Sequence, residues 1–131
     1  MMAGNSPVRP YIAVAVAREN TQQDIAKEVL AGIEEEGIPC KLQSSTSANT
    51  VKLAYSCAQQ SPLGVGIAIG YSGDVVVHYQ RLHEEEPLFY LGPREGETNS
   101  WRRMGSHGAR LVKGIPFKKN SVNTYGGGSH G

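Results

Sequence analysis

Cysteine is scarce in this sequence: Cys40 and Cys57 are the only two in 131 residues. Neither belongs to a CxxC pair or to a Cys/His spacing that would hold a metal, and two thiols in a chain of this size make no disulfide framework, so a reducing cytoplasm is the expected setting. Long apolar runs are also missing. No stretch approaches the roughly 18 apolar residues of a membrane span, and the opening MMAGNSPVRP has no apolar core of a secretory signal, which predicts a soluble, unprocessed chain without a membrane partner. A surplus of one charge is lacking too: 13 Lys and Arg against 12 Asp and Glu leave a net charge of +1. That balance excludes the excess of basic side chains on which phosphate-backbone binding depends, so no nucleic-acid partner is expected. The motifs GxxxxGK[ST] and HExxH are absent as well, and no GxSxG sequence stands between a strand pattern and a helix pattern as a nucleophile elbow must, which removes the usual local signatures of phosphate cradles, serine nucleophiles and zinc hydrolases.

What is present suffices for one core. Hydrophobic residues make up 39% of the chain, and its length suits a single domain. Residues 1–10 are polar and contain proline, as in a disordered lead-in. Tyr11 to Ala17 (YIAVAVA) is an almost unbroken apolar run, the pattern of a central strand covered on both faces. Thr21 and Asp24 resemble a helix-capping pair, and Ile25, Ala26, Val29, Leu30 and Ile33 follow at helical spacing until Gly37 and Pro39 stop them, predicting a helix over about 21–36. A short strand over Ile38–Leu42 follows, placed near an edge by Pro39. Asn49 caps a second helix with Val51, Ala54, Tyr55 and Ala58 on one face, ended by Ser61-Pro62. Leu63–Ile69 (LGVGIAI) is a third buried strand whose glycines mark close packing.

The βαβαβ order argues for parallel strands with right-handed crossovers. The turn Tyr71–Asp74 then leads into Val75–Tyr79 too quickly for a helical crossover, so this fourth strand runs antiparallel to the third. After the polar loop 80–87, Leu88–Leu91 returns as a fifth strand. A last helix over about 99–113 points Trp101, Met104, Leu111 and Val112 inward, though Gly105 and Gly108 each cost it about 1 kcal/mol. Residues 119–131, rich in glycine and without apolar periodicity, are expected to be disordered.

Four features are candidates for chemistry. Gly64, Gly66 and Gly70 superficially resemble a dinucleotide fingerprint, but the spacing is one residue too long and lies within a strand, so close packing explains them better. His78, His83, His107 and His130 are scattered through strand, loop, helix and tail with nothing to organise them into a catalytic set. Arg102, Arg103 and the Arg110–Lys113 segment form a small basic region without interleaved aromatics, suited to a partner or to solvent. Finally, Glu34-Glu35-Glu36 closes the first helix, where negative charge opposes the helix dipole. Such a run is usually a solvated helix end, but one of its carboxylates can also serve a hard cation such as Mg²⁺ or a basic group on a partner.

Three segments carry a family resemblance: Gly32-Ile33-Glu34-Glu35-Glu36-Gly37-Ile38-Pro39; Ser61-Pro62-Leu63-Gly64-Val65-Gly66-Ile67 with Val76-Val77-His78-Tyr79; and Gly108 to Phe117 (GARLVKGIPF). In this order and spacing they resemble the small subunits of diol and glycerol dehydratase reactivating factors, over residues 11–118, the extent expected of the single α/β domain. The resemblance implies a three-layer α/β/α sandwich with a mixed five-stranded sheet and an antiparallel strand 4, similar to anticodon-binding domains and to the dehydratase medium subunit. It implies no catalysis and no cofactor in the isolated chain. The implied partners are a large, actin-like ATPase subunit that holds ATP or ADP with Mg²⁺, and the dehydratase itself, from which damaged cobalamin is released by subunit exchange. It further implies that Glu35, the second glutamate of the run, reaches the Mg²⁺ at the interface with the large subunit. The chain departs from the family pattern in the loop 90–101, in Met104-Gly105-Ser106-His107 and in its glycine-rich tail. A medium subunit of the dehydratase and a stand-alone small-molecule-binding domain remain the alternatives. Glycerol or propanediol as the substrate, and residence in a bacterial microcompartment, stay open.

Overall fold

The computed structural model describes residues 10–17, 23–114 and, for the backbone alone, 123–124. The strand β1 (Ile12–Ala17) pairs in parallel with β2 (Cys40–Ser45) on one side and with β3 (Val65–Ile69) on the other. Next to β3 lies the antiparallel β4 (Val75–Tyr79), then β5 (Phe89–Leu91). The five expected strands therefore form the expected mixed sheet, in the order β2-β1-β3-β4-β5, and a two-residue β6 (Asn123–Thr124) extends it beyond β5. Three helices cover the sheet: α1 (Gln23–Glu35), α2 (Thr50–Gln60) and α3 (Thr98–Lys113).

Alternation along the strands separates two cores. One face presents Ile12, Val14, Val65, Ile67, Ile69, Val75, Val77, Phe89 and Leu91 to α1 and α3. The other presents the smaller Ala13, Ala15 and Ala68, with Val76, to α2. Because β1 leads to β2 on one side and β2 returns past β1 to β3, right-handed crossovers place α1 and α2 on opposite faces.

Local signals operate where they were expected. Asn49 Oδ1 accepts a hydrogen bond from the Lys52 amide at 3.0 Å, capping α2. Gly37, with φ of +76°, donates its N–H to the Glu34 carbonyl and ends the turn after α1. A Cβ on Gly66 would collide with the α2 backbone at Ala54 and Ala58, which is the close approach inferred from the glycines of the third strand.

Three boundaries or faces differ from expectation. The second strand spans Cys40–Ser45 and not Ile38–Leu42: its six residues register one for one with Ile12–Ala17, and as an edge strand it tolerates the polar Gln43-Ser44-Ser45. Pro39 stays outside the ladder, its carbonyl accepting from the Ile12 amide. On α2 the buried residues are Thr50, Leu53, Ala54, Cys57 and Ala58, so Leu53 and Cys57 take the inward places assigned to Val51 and Tyr55, which are only half-buried. On α3 the continuous stretch Met104–Ala109 is buried while Leu111 and Val112 are only half-buried, because the glycines let the middle of the helix sink between α1 and the sheet. Thr21 of the expected capping pair, and residues 1–9, for which disorder was expected, lie outside the described residues, as does the tail apart from β6.

Candidate functional site

Helices α1 and α3 cross at two glycines. A Cβ on Gly32 would strike the Arg102 carbonyl oxygen, and one on Gly105 would strike the Val29 carbonyl oxygen, so the backbones touch where other residues would hold them apart. This contact turns the acids of α1 toward the bases of α3. On one flank Arg102 donates from Nε and Nη2 to Glu28 Oε1, at 2.9 and 2.6 Å, and its Nη1 lies 3.5 Å from Glu35 Oε2. On the other flank Glu36 accepts from Ser106 Oγ at 3.0 Å and from Lys113 Nζ at 3.2 Å, with Arg110 Nε 3.2 Å away.

The three consecutive glutamates thus have three environments. Glu34 is exposed. Glu35 keeps 45% of its side-chain surface exposed beside Arg102, and Glu36 keeps only 9%. Burial by itself pushes the Glu36 carboxyl upward; the hydrogen bonds from Lys113 and Ser106 and the charges of Arg110 and Lys113 together outweigh it, and the carboxyl ends below its ordinary value.

The remaining candidates do not come together. Gly64 precedes the fully buried β3, which contains Gly66, so this segment packs and opens no helix. His78 is buried, its Nδ1 accepting from the Tyr79 amide and its Nε2 bonded to the Glu84 carbonyl, which fixes the loop after β4. His107 is buried against the Phe89 ring, 4.9 Å between centroids. His83 is exposed on the loop and His130 lies outside the described residues. Burial pushes the Cys57 thiol up to about 11 despite a hydrogen bond from Gln43, and burial with the charge of Glu34 raises Cys40, so neither thiol is an activated nucleophile. Arg102, Arg110 and Lys113 of the expected basic region pair with the acids at the end of α1 and with Glu28. An open cleft of about 550 Å³ lies against α2, lined by Ser45, Lys52, Leu53, Tyr55, Gln59 and Glu84 among others.

Sequence reasoning missed Glu28 altogether, and it named Glu36 only within the acidic run, without its pairing to α3. Their signal was available: Arg102, Ser106, Arg110 and Lys113 recur at helical spacing along one face, opposite acids on α1 that recur likewise. Among the described residues no group of three or more His, Cys, Asp or Glu can hold a metal. An exposed carboxylate such as Glu35 therefore fits a cation only as one ligand of an ion held mainly by another chain.

A model of the dehydratase medium subunit family matches residues 9–118. The small subunit of the diol dehydratase-reactivating factor of Klebsiella michiganensis is 44% identical over 117 residues, 89% of this chain and 90% of that protein. The small subunit of the propanediol dehydratase-reactivating factor of Salmonella typhimurium is 42% identical over 106 residues, 81% of this chain and 90% of that one. Among solved structures, a diol dehydratase-reactivating factor complexed with ADP and Mg²⁺ superposes with a TM-score of 0.77 at 43% identity, covering 86% of this chain and 100% of that one. A glycerol dehydratase reactivase, at 24% identity and a TM-score of 0.79, shares the fold. With the sandwich, the strand order and these likenesses together, the chain belongs to the dehydratase medium subunit family, among the small subunits of diol and glycerol dehydratase-reactivating factors.

Proposed function

We propose that this chain acts as an accessory subunit that docks on a large ATPase subunit and exchanges with the medium subunit of an adenosylcobalamin-dependent diol or glycerol dehydratase, so that damaged cobalamin leaves. The observation that carries this reading is the match of one domain to two kinds of protein: the family model is that of the dehydratase medium subunit, whereas the similar full-length proteins are reactivating-factor subunits. Two proteins with one fold can compete for one docking surface, which is the physical basis of exchange. ATP hydrolysis belongs to the large subunit, since this chain has no phosphate-cradling glycine-rich loop opening a helix.

Glu35 is the residue of this chain that we assign to the shared ion. It is the half-exposed carboxylate at the end of α1, and Mg²⁺ together with ADP is present in the similar reactivating factor. Glu35 would supply one carboxylate oxygen to a Mg²⁺ held mainly by the large subunit, and so an electrostatic contribution to docking. Native electrophoresis of the chain mixed with the large subunit and inactivated dehydratase, with cobalamin release followed by absorbance, tests the reading. Expected are a binary complex with the large subunit and cobalamin release that needs both subunits and ATP. Formation of an active dehydratase with this chain in place of the medium subunit would overturn it.

A further inference from the structure

We propose that Arg102 is the positioning residue of Glu35: it holds one carboxylate oxygen so that the other faces the partner's ion. This rests on the assignment of Glu35 above. Glu28, Gly32 and Glu35 succeed one another along one flank of α1, at i, i+4 and i+7. The Arg102 backbone rests on Gly32, so its guanidinium starts midway between the two carboxylates. Its Nε and Nη2 are both bound to Glu28 Oε1, on a side chain with only 16% of its surface exposed. A planar guanidinium anchored through two nitrogens has its third fixed in place. That third nitrogen, Nη1, is the one 3.5 Å from Glu35 Oε2. Among the described residues no hydrogen bond or ion pair engages Glu35 Oε1.

The chain Glu28–Arg102–Glu35 thus orders a side chain that would otherwise sample several rotamers at an exposed helix end. It leaves Oε1, which has no partner among the described residues, as the oxygen suited to one-oxygen ligation of a hard cation. Carboxylate ligands are commonly oriented by such outer partners, and losing one typically weakens metal binding. Lysine at position 102 would keep the charge but not the fork, so it could bind Glu28 or approach Glu35 without fixing both.

The test is a Mg²⁺ titration of complex formation between the chain and the large subunit in the presence of ADP, with a parallel measurement in EDTA. Wild type is compared with Arg102→Gln, Arg102→Lys, Glu28→Gln and Glu35→Gln. Arg102→Gln is expected to raise the Mg²⁺ concentration for half-maximal association about tenfold while leaving association in EDTA unchanged. Arg102→Lys should recover less than half of that shift on a logarithmic scale. Glu28→Gln, which keeps the arginine but weakens its anchor, should shift the curve in the same direction by less, and serves if Arg102→Gln fails to fold. An equal loss with and without Mg²⁺ would make Arg102 merely structural, and full rescue by lysine would refute the fork; either overturns the proposal. If Glu35→Gln shifts the curve and Arg102→Gln does not, this proposal fails and the Glu35 assignment stands. If Glu35→Gln does nothing, both fail.

Discussion

The two faces of the sheet solve the same packing problem with different materials. Toward α1 and α3 the strands offer Ile12, Val14, Ile67, Ile69, Val77 and Phe89, bulky side chains that fill a thick layer beneath two helices. Toward α2 they offer Ala13, Ala15, Gly66 and Ala68, and a single helix comes down almost to the backbone of β3. The thick layer buys its close contact elsewhere, between the helices, where Gly32 and Gly105 let α1 and α3 touch and bring their charged flanks together. The thin face tolerates no added volume, and the thick face tolerates no lost volume. The ionic seam, and with it the candidate site, arises only on the side that has two helices.

The largest expected effect tests the thick layer. Ile67→Ala should destabilise the chain by about 4 kcal/mol through lost burial and a residual cavity, seen as a lowered urea midpoint with an unchanged slope. The mirror change on the thin face, Gly66→Ala, should cost about 3 kcal/mol, because the new methyl meets α2 backbone atoms that cannot rotate away. A cost below about 1 kcal/mol in the same denaturation assay would show that α2 can rise off the sheet and would remove the asymmetry between the faces.

Next comes Glu36→Gln. It replaces charge-assisted hydrogen bonds to Lys113 and Ser106, and the ion pair with Arg110, by weaker contacts, for an expected loss of about 2 kcal/mol near neutral pH. The loss should be pH-dependent. Because the folded-state carboxyl titrates below its ordinary 4.5, its contribution is complete above that value and disappears as pH falls through the lower folded value. Melting curves of wild type and variant should therefore converge on acidification below about pH 4. The smallest effect is at its neighbour: Glu35→Gln should change stability by less than about 0.5 kcal/mol, since that carboxylate is half-exposed and its ion pair weak. A thermal shift for Glu35→Gln as large as that for Glu36→Gln would erase the distinction between a structural and an available carboxylate.

Elements governed by local rules were legible in advance. The asparagine cap of α2, the glycine stop after α1, the buried run of β1 and the short turn that makes β4 antiparallel each depend on a few adjacent residues, and each stands where those residues place it. Chain pattern alone misjudged the extent of β2 and part of the inward faces of α2 and α3. An edge strand takes its extent from the partner it pairs with, here all six residues of β1. A helical face is chosen by what lies opposite, and short residues such as Cys57 or Gly105 face inward where space is least.

The sequence by itself determined the order of strands and helices, the antiparallel turn, the two-sided burial of β1 and the acidic end of α1, because hydrophobic period, caps and loop lengths act over a few residues. Only the tertiary structure decided which glutamate of the acidic run is locked and which stays half-exposed. Glu34, Glu35 and Glu36 are chemically identical and adjacent, and a helix end offers each a different direction. What separates them is the height at which α3 crosses α1, set by Gly32 against Arg102 and Gly105 against Val29, which places Ser106, Arg110 and Lys113 over Glu36 and a single guanidinium nitrogen beside Glu35.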